Sequence, residues 1–288
     1  MRAVRFVIPK TGGNSFRVQT DSVSYFYDSI HYHPEHQITV ILKGEGTRFI
    51  GNHVEHFQPG EVYFIGKNVP HVFKCDTRYY EENSQLEASS ISVFFKDETF
   101  GPQFFEIPEM AQIKRLLVLA SLGVRIDGED RKLVTEYLRS ITIQDGFQRF
   151  QSLLSILDIC SKSDSLQTLS SVRYTTPSKD LENERINVVF QFLSNNFRKE
   201  VGLTQIASIA NMTPNAFCRY FKQRTGKAFT VFLNEMRIEY AAKLIAGSHD
   251  NFGNIANESG FNSISYFNRQ FKKIMKTSPM TYRNMYMQ

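Results

Sequence analysis

A six-residue pattern recurs in this chain at an offset of fifty residues: Phe217-Cys218-Arg219-Tyr220-Phe221-Lys222 returns as Phe267-Asn268-Arg269-Gln270-Phe271-Lys272. Such a repeat points to one structural unit used twice. Each copy is preceded by an Ile-Ala pair, Ile206-Ala207 and Ile255-Ala256, and then by a polar break, Asn211-Met212-Thr213 and Gly260-Phe261-Asn262. The implied order is helix, tight turn, helix. In each second helix the two Phe stand at i, i+4 and face a core, while the Arg and Lys project elsewhere. Two basic helices presented in this way describe a DNA reader.

Charge follows the repeat. Residues 181–288 hold 14 Lys and Arg against 7 Asp and Glu, whereas residues 1–180 hold 20 against 22, so the basic character is local. A local surplus on a helix-turn-helix pattern suits phosphate neutralisation better than a merely solvated face. The length, 288 residues, suits about two domains of 100–200 residues each. No apolar run reaches the roughly 18 residues of a membrane span, and Pro9 breaks the N-terminal stretch too early for a signal peptide. Cys75, Cys160 and Cys218 are scattered without metal-like spacing, which fits a reducing compartment. A cytoplasmic protein with no membrane partner is expected.

The N-terminal part reads as short strands rich in β-branched and aromatic residues: 23–30, 37–43, 46–50, 61–65, 71–75 and 90–96. Gly44, Gly46, Gly51, Pro59-Gly60 and Pro70 punctuate them, as in a small sandwich or barrel. Alternation puts His71, Phe73 and Cys75 on the interior face, with Val72 and Lys74 outward, and places His31 and His33 on one face. From Pro108 the spacing becomes helical, with three amphipathic helices ending in Phe147, Phe150, Leu154 and Leu157. The last also carries Leu153 and Ile156, a surplus that either a subunit contact or burial against the barrel would use. Ser- and Thr-rich residues 161–181 read as a linker. Beyond it lies a helix with Ile186, Phe190, Leu193 and Phe197 on one face, then Thr204 as an expected N-cap. A connector helix carries Phe232, Met236, Tyr240 and Leu244.

The segment Ile255-Ala256, Ser259-Gly260-Phe261, Ser265-Tyr266-Phe267, Arg269, Phe271-Lys272-Lys273, Ser278-Pro279 and Tyr282-Arg283 closely resembles the signature of the AraC/XylS family of bacterial transcription regulators. The resemblance extends over 182–288 and implies two helix-turn-helix units, each with its second helix in the major groove. One departure is Lys276, which stands where the family carries Gly, as Gly226 does after the first unit. Carried over residue by residue, the resemblance assigns base reading to Asn215, Cys218 and Arg219 and to Ser265, Asn268 and Arg269. Thr213, Lys222, Ser263, Lys272, Lys273 and Arg283 are the phosphate candidates, with plain solvation as the alternative for the basic ones. A guanidinium can bond O6 and N7 of guanine, and Asn can pair with adenine.

The N-terminal half resembles a cupin-type sensor barrel: His31-Tyr32-His33, Gly44-Glu45-Gly46, Pro59-Gly60 and His71 follow the order of the two cupin motifs. Metal-binding cupins continue the first motif to a glutamate, and here Gln37 stands nearest to that place. An amide removes a charge and a good ligand. His31, His33, Gln37, Phe49, His71 and Phe73 are therefore expected to line an effector pocket for a sugar or an aromatic compound, with no metal, no cofactor and no catalytic residue. The fold class expected is α+β multidomain: a cupin-like barrel over 1–106, a helical dimerisation segment over 107–160, the linker 161–181, and an all-α double helix-turn-helix domain over 182–288. The function expected is a one-component regulator acting as a homodimer on promoter DNA, with RNA polymerase as a further partner. A metal-dependent cupin enzyme with a DNA-binding appendage is the rival, as is a ligand-free regulator whose barrel serves only contacts.

Overall fold

The computed structural model describes residues 4–5, 8, 15–171, 173 and 180–286. Two compact units divide the chain, one made chiefly of residues 4–53 and 57–177 and the other of 178–288. The first holds β1 (Val4–Arg5), β2 (Arg17–Val23), β3 (His31–Tyr32), β4 (His36–Lys43), β5 (Gly46–Ile50), β6 (His53–Phe57), β7 (Val62–Ile65), β8 (His71–Cys75) and β9 (Ala88–Phe95). Helix α1 (Ala111–Ala120), β10 (Val124–Ile126), α2 (Gly128–Ser140), α3 (Gly146–Lys162) and β11 (Leu166–Thr168) follow. The strands form a five-stranded sheet, β1-β3-β8-β5-β6, and a six-stranded sheet, β11-β10-β7-β4-β9-β2.

Alternation in β4 organises this unit. Ile38 pairs with Val93 and Phe64, and Val40 with Ile91 and Val62. These residues share one face and join Leu116, Val134, Leu138, Leu153, Ile156 and Leu157 of the helices in a single apolar core. Gln37, Thr39 and Ile41 point the other way, opposite Phe94, Ser92 and Ser90. Leu153 and Ile156 are fully buried in that core, so the barrel consumes the apolar surplus of α3 and neither side chain is left for a subunit contact. At β5–β8 the chains approach so closely that a Cβ on Gly46 would lie 2.0 Å from the Lys74 carbonyl oxygen. Arg48, fully buried on β5, donates from Nε to Tyr63 Oη at 2.9 Å, and that hydroxyl donates to Glu61 Oε2. Burial of a charge is tolerable only with partners of this kind.

Four expectations in this unit need correction. Residues 24–30 are not a strand; the strand is β2, whose polar Gln19, Thr20, Asp21 and Ser22 hid it, and which seven register pairs along β9 hold in place. Val72, read as outward, is fully buried, because both faces of β8 are covered at that position. Phe49 is opposite Val72, and cross-strand partners share a face, so Phe49 lies on the side away from His71 and Phe73. Within the expected linker, Ser161 and Lys162 end α3 and residues 166–168 form β11 on β10. Asp180 and Leu181 already belong to α4, and residues 172 and 174–179 of that stretch lie outside the described residues.

The second unit runs α4 (Asp180–Asn196), α5 (Leu203–Ile209), α6 (Pro214–Thr225), α7 (Phe229–Gly247), α8 (Phe252–Glu258), α9 (Ile264–Met275) and α10 (Pro279–Tyr286). Ile186, Phe190, Leu193 and Phe197 are all buried on α4. Helix α7 has two apolar faces rather than the one that Phe232, Met236, Tyr240 and Leu244 suggest. Phe229 and Phe232 meet Phe221 near its start, while Ile238, Ala241, Ala242 and Ile245 pack with Ile255, Phe261, Phe267 and Phe271. A helix buried between two units must be apolar on both sides. Gly202, not Thr204, caps α5, without a side-chain bond. Gly226 and Lys276 close α6 and α9 at φ 70° and 61°, so Lys276 takes the left-handed conformation that Gly adopts at no cost and other residues at roughly 1 kcal/mol.

Candidate DNA interface and ligand pocket

Helices α6 and α9 begin alike. Thr213 Oγ1 accepts from the Ala216 amide at 3.4 Å and Ser263 Oγ from the Tyr266 amide at 3.3 Å, each satisfying a free N–H of the first turn. A capping hydroxyl keeps its own O–H to donate. Phe217 and Phe221, and Phe267 and Phe271, are fully buried. Asn215, Cys218, Arg219 and Lys222 are exposed, and so are Ser265, Asn268, Arg269 and Lys272. Spacing of i, i+3, i+4, i+7 puts each set on one face of its helix. Neither helix contains an acidic residue, and among the described residues no ion pair draws on Arg219, Lys222, Arg269, Lys272 or Lys273. The positive N-terminal ends of both helices add to this field.

Two connector residues that the sequence reading missed, Asn234 and Arg237, brace this domain. Asn234 Nδ2 of α7 donates to Tyr266 Oη at 2.7 Å, and the Arg269 guanidinium lies 5.1 Å over the Tyr266 ring. Arg237 donates to the Phe197 and Lys199 carbonyls at 2.7 and 2.8 Å and covers Phe261. Polar side chains of a connector helix carry no signal in apolar periodicity. Arg283 is a correction among the phosphate candidates: it stacks 4.1 Å over Phe252 and donates to the Asp250 carbonyl at 2.6 Å, so it braces the start of α8.

The interior face of β4 opens on a cavity of about 290 Å3. Gln37, Thr39 and Ile41 line it together with His31, with His71 and Phe73 of β8, and with Ser90, Ser92 and Phe94 of β9. Gln19 and Asp21 of β2 and the aromatic loop Tyr25-Phe26-Tyr27 complete the wall. His33 stands behind Gln37, 1 % exposed. Phe49 takes no part. The β2 and β9 residues were legible only through their alternation, since Ser90, Ser92 and Phe94 follow one another at every second position.

His31, His33 and His71 bring ring nitrogens within 4.8 Å of one another. Their Nδ1 atoms lie 3.0, 3.0 and 2.8 Å from the carbonyls of Ser29, Glu35 and Val69. A carbonyl only accepts, so each Nδ1 carries the proton and each Nε2 is a lone pair. Gln37 Oε1 is placed 3.1 Å from Nε2 of His33 and 3.0 Å from Nε2 of His71. Turning the terminal amide by half a turn exchanges oxygen and nitrogen and sets two N–H donors against those two lone pairs, with the oxygen left to accept from Ser92. Burial holds His31 and His33 down to about 4 and His71 well below the ordinary 6.5. The three rings are neutral near pH 7.

That neutrality has a pH signature. Between about 6.5 and about 4 the unfolded histidines bind protons that the folded ones refuse. Stability of this unit is therefore full above pH 6.5 and falls as pH drops toward 4, by up to about 1.4 kcal/mol per pH unit for each such histidine. Thermal melting at pH 7 and pH 5 should show the loss, and His33→Gln should flatten the slope. An equal slope in that variant would mean that His33 is not held neutral by burial.

Two short helix-turn-helix units on one connector, and a sandwich with a polar pocket, define a two-part architecture of the DNA-binding class. Residues 206–285 match the helix-turn-helix domain family and residues 24–78 the cupin domain family. The chain is 25 % identical over 274 residues to a probable transcriptional regulator, LumQ of Photobacterium leiognathi, covering 93 % of this chain and 96 % of that one. It is 22 % identical over 257 residues to the transcriptional activator RhaR of Mannheimia succiniciproducens, covering 88 % and 87 %. Among solved structures, ToxT of Vibrio cholerae is similar at 15 % identity and a TM-score of 0.37, over 94 % of this chain and 98 % of that one. The chain is a transcription regulator that carries a cupin domain and an AraC-type helix-turn-helix DNA-binding domain. No helix among the described residues is long and apolar enough to cross a membrane.

Proposed function

We propose that the protein is a one-component regulator in which a small molecule held in the histidine pocket controls promoter occupancy by the two basic helices. The observation that carries the DNA half is the exposure of matching stripes, Asn215, Cys218, Arg219 and Lys222 against Ser265, Asn268, Arg269 and Lys272. Thr213, Ser263 and Lys273 flank them as phosphate contacts. The effector half rests on a cavity with an aromatic wall and a polar floor, which supports a ligand over a barrel that serves only contacts. The Asp21 carboxylate and the hydroxyls of Thr39, Ser90 and Ser92 favour a donor-rich ligand such as a sugar or a hydroxylated aromatic. Action as a homodimer, with RNA polymerase as a partner, belongs to the same reading. The dimer contact would then fall to Ile143 and Phe147, 90 % and 73 % exposed.

Ser92→Phe, which fills the cavity, provides the test. A reporter driven by the protein's selected DNA site should respond to growth conditions with the unaltered chain and stay fixed in one state with the variant. An unchanged response would remove the pocket from control while leaving DNA binding standing.

The three Nε2 lone pairs are the kind of donor set a divalent metal uses, held by second bonds from Nδ1. The amide of Gln37 spans two of them, and it supplies no negative charge. We expect purified protein to carry no stoichiometric transition metal. Elemental analysis decides it: about one Fe, Mn, Ni or Zn per chain, lost in His33→Ala or His71→Ala, would show that the triad is a metal centre.

A further inference from the structure

The cavity on the interior face of β4 carries one formal charge. Its described lining contains no Lys or Arg, and burial keeps the two histidines in it, His31 and His71, neutral, which leaves the carboxylate of Asp21. Asp21 stands partly buried on the edge strand β2, opposite Ser90 of β9. Gln19 Nε2 donates to its Oδ1 at 2.8 Å and Ser90 Oγ to its Oδ2 at 3.4 Å. An ionised carboxylate accepts about four such bonds, so both oxygens keep capacity. Arg17, the nearest basic residue in sequence, directs its Nε to Gln19 Oε1 at 3.0 Å, and among the described residues no Lys or Arg pairs with Asp21.

A charge without a counter-ion, set among low-dielectric walls, focuses its field into the space it faces, drawing cations in and turning anions away. The rest of the wall suits an organic cation. Tyr25, Phe26, Tyr27, Phe73 and Phe94 all contribute rings to it, and the face of an aromatic ring attracts an ammonium group. Tyr25 and Tyr27 are half-exposed yet held in place: Tyr25 stacks on Tyr80 at 4.2 Å and 30°, and Tyr27 meets His31 edge-on at 5.3 Å. Across β9 from Asp21, the Thr39 and Ser92 hydroxyls lie 2.7 Å apart and form a second polar end. Strands β2 and β4 flank β9, two strand spacings or about 10 Å apart. A cavity of about 290 Å3 between them is at the lower end for small-molecule sites and suits a single ring.

We propose that this pocket takes a one-ring aromatic amine, with its ammonium on Asp21, its ring among the aromatic side chains and a hydroxyl toward Thr39 and Ser92. The inference rests on the reading of this cavity as the effector site and names the chemical class that it admits.

Isothermal titration calorimetry on the full-length protein compares tyramine with 4-ethylphenol, which lacks the ammonium, and with 4-hydroxyphenylacetate, which carries a carboxylate instead. Tyramine is expected to bind 1:1, with 4-ethylphenol about tenfold weaker through loss of a charge-assisted hydrogen bond, and the anion weakest of the three. Asp21→Asn keeps the shape and removes the charge, so tyramine should fall to the level of 4-ethylphenol while 4-ethylphenol itself is unchanged. Ser92→Phe fills the cavity and should abolish binding of all three. If Asp21→Asn does not fold, the order of the three ligands on the unaltered chain and their loss in Ser92→Phe decide the matter. Equal binding of tyramine and 4-ethylphenol, a preference for the anion, no binding of tyramine, or tyramine binding that survives either substitution undiminished would each overturn the proposal. Where the reporter response is nonetheless lost in Ser92→Phe, the cavity stays the effector site and only the cationic class falls.

Discussion

Phe221→Ala is expected to destabilise the DNA-binding unit by about 3–5 kcal/mol, the usual range for removing a fully buried Phe side chain. The ring is 0 % exposed and has four aromatic neighbours, with centroids 5.4 to 6.2 Å away: Phe217, Phe190, Phe229 and Phe232. These come from α4, α6 and α7, so the cavity left behind opens where three helices meet and cannot be closed by moving one of them. Phe271, its counterpart fifty residues on, has Phe267 and Tyr282 as ring neighbours. Its replacement should cost less, since aromatic pairs add to simple area burial. Urea unfolding of both variants, followed by a probe in 180–286, measures the difference. A cost for Phe221→Ala below that of Phe271→Ala would show that the first unit is not organised around this ring.

The double unit was legible because its two signals reinforce each other. The Phe pairs recur at i, i+4 and the basic residues recur between them, and a helix has only one face for each. The pocket was legible only in part. His31, Gln37, His71 and Phe73 could be placed by motif order and parity, but Phe49 was put on the wrong side because its strand's register against β8 is a long-range fact. It became visible only in the pairing of Phe49 with Val72. Strand β2 escaped for a related reason: Gln19 and Asp21 are polar on the face that lines a cavity, Thr20 and Ser22 are polar on the other face of an edge strand, and the pattern that finds strands is the pattern of filled cores. Leu153 and Ile156 show the opposite limit. An apolar surplus on a helix says that something covers it, and the sequence does not say whether that is another chain or the protein's own sheet.

Replacing Arg219 or Arg269 by Ala should relax base preference at separate positions about one helical turn, roughly 34 Å, apart on the DNA. Each loss of a bidentate base contact should cost on the order of 1–3 kcal/mol on the specific site and little on random sequence. The two arginines are not placed alike: Arg269 rests over Tyr266, whose hydroxyl Asn234 holds from the connector, while among the described residues Arg219 has no such ring contact to limit its rotamers. The loss should therefore be larger at the position read by Arg269, because a pre-positioned guanidinium gives up less entropy on binding. Lys222→Ala should behave differently, weakening all sequences alike and making the salt dependence shallower by about one unit, as expected of a phosphate contact. Selection of preferred sites from random DNA, carried out with the unaltered chain and both arginine variants, measures the first effect, and salt titration of Lys222→Ala the second. If both arginine variants retained the original preference, the base-reading faces would lie elsewhere on α6 and α9. If only Arg269→Ala changed it, the second unit alone would read sequence and the first would serve as an electrostatic clamp.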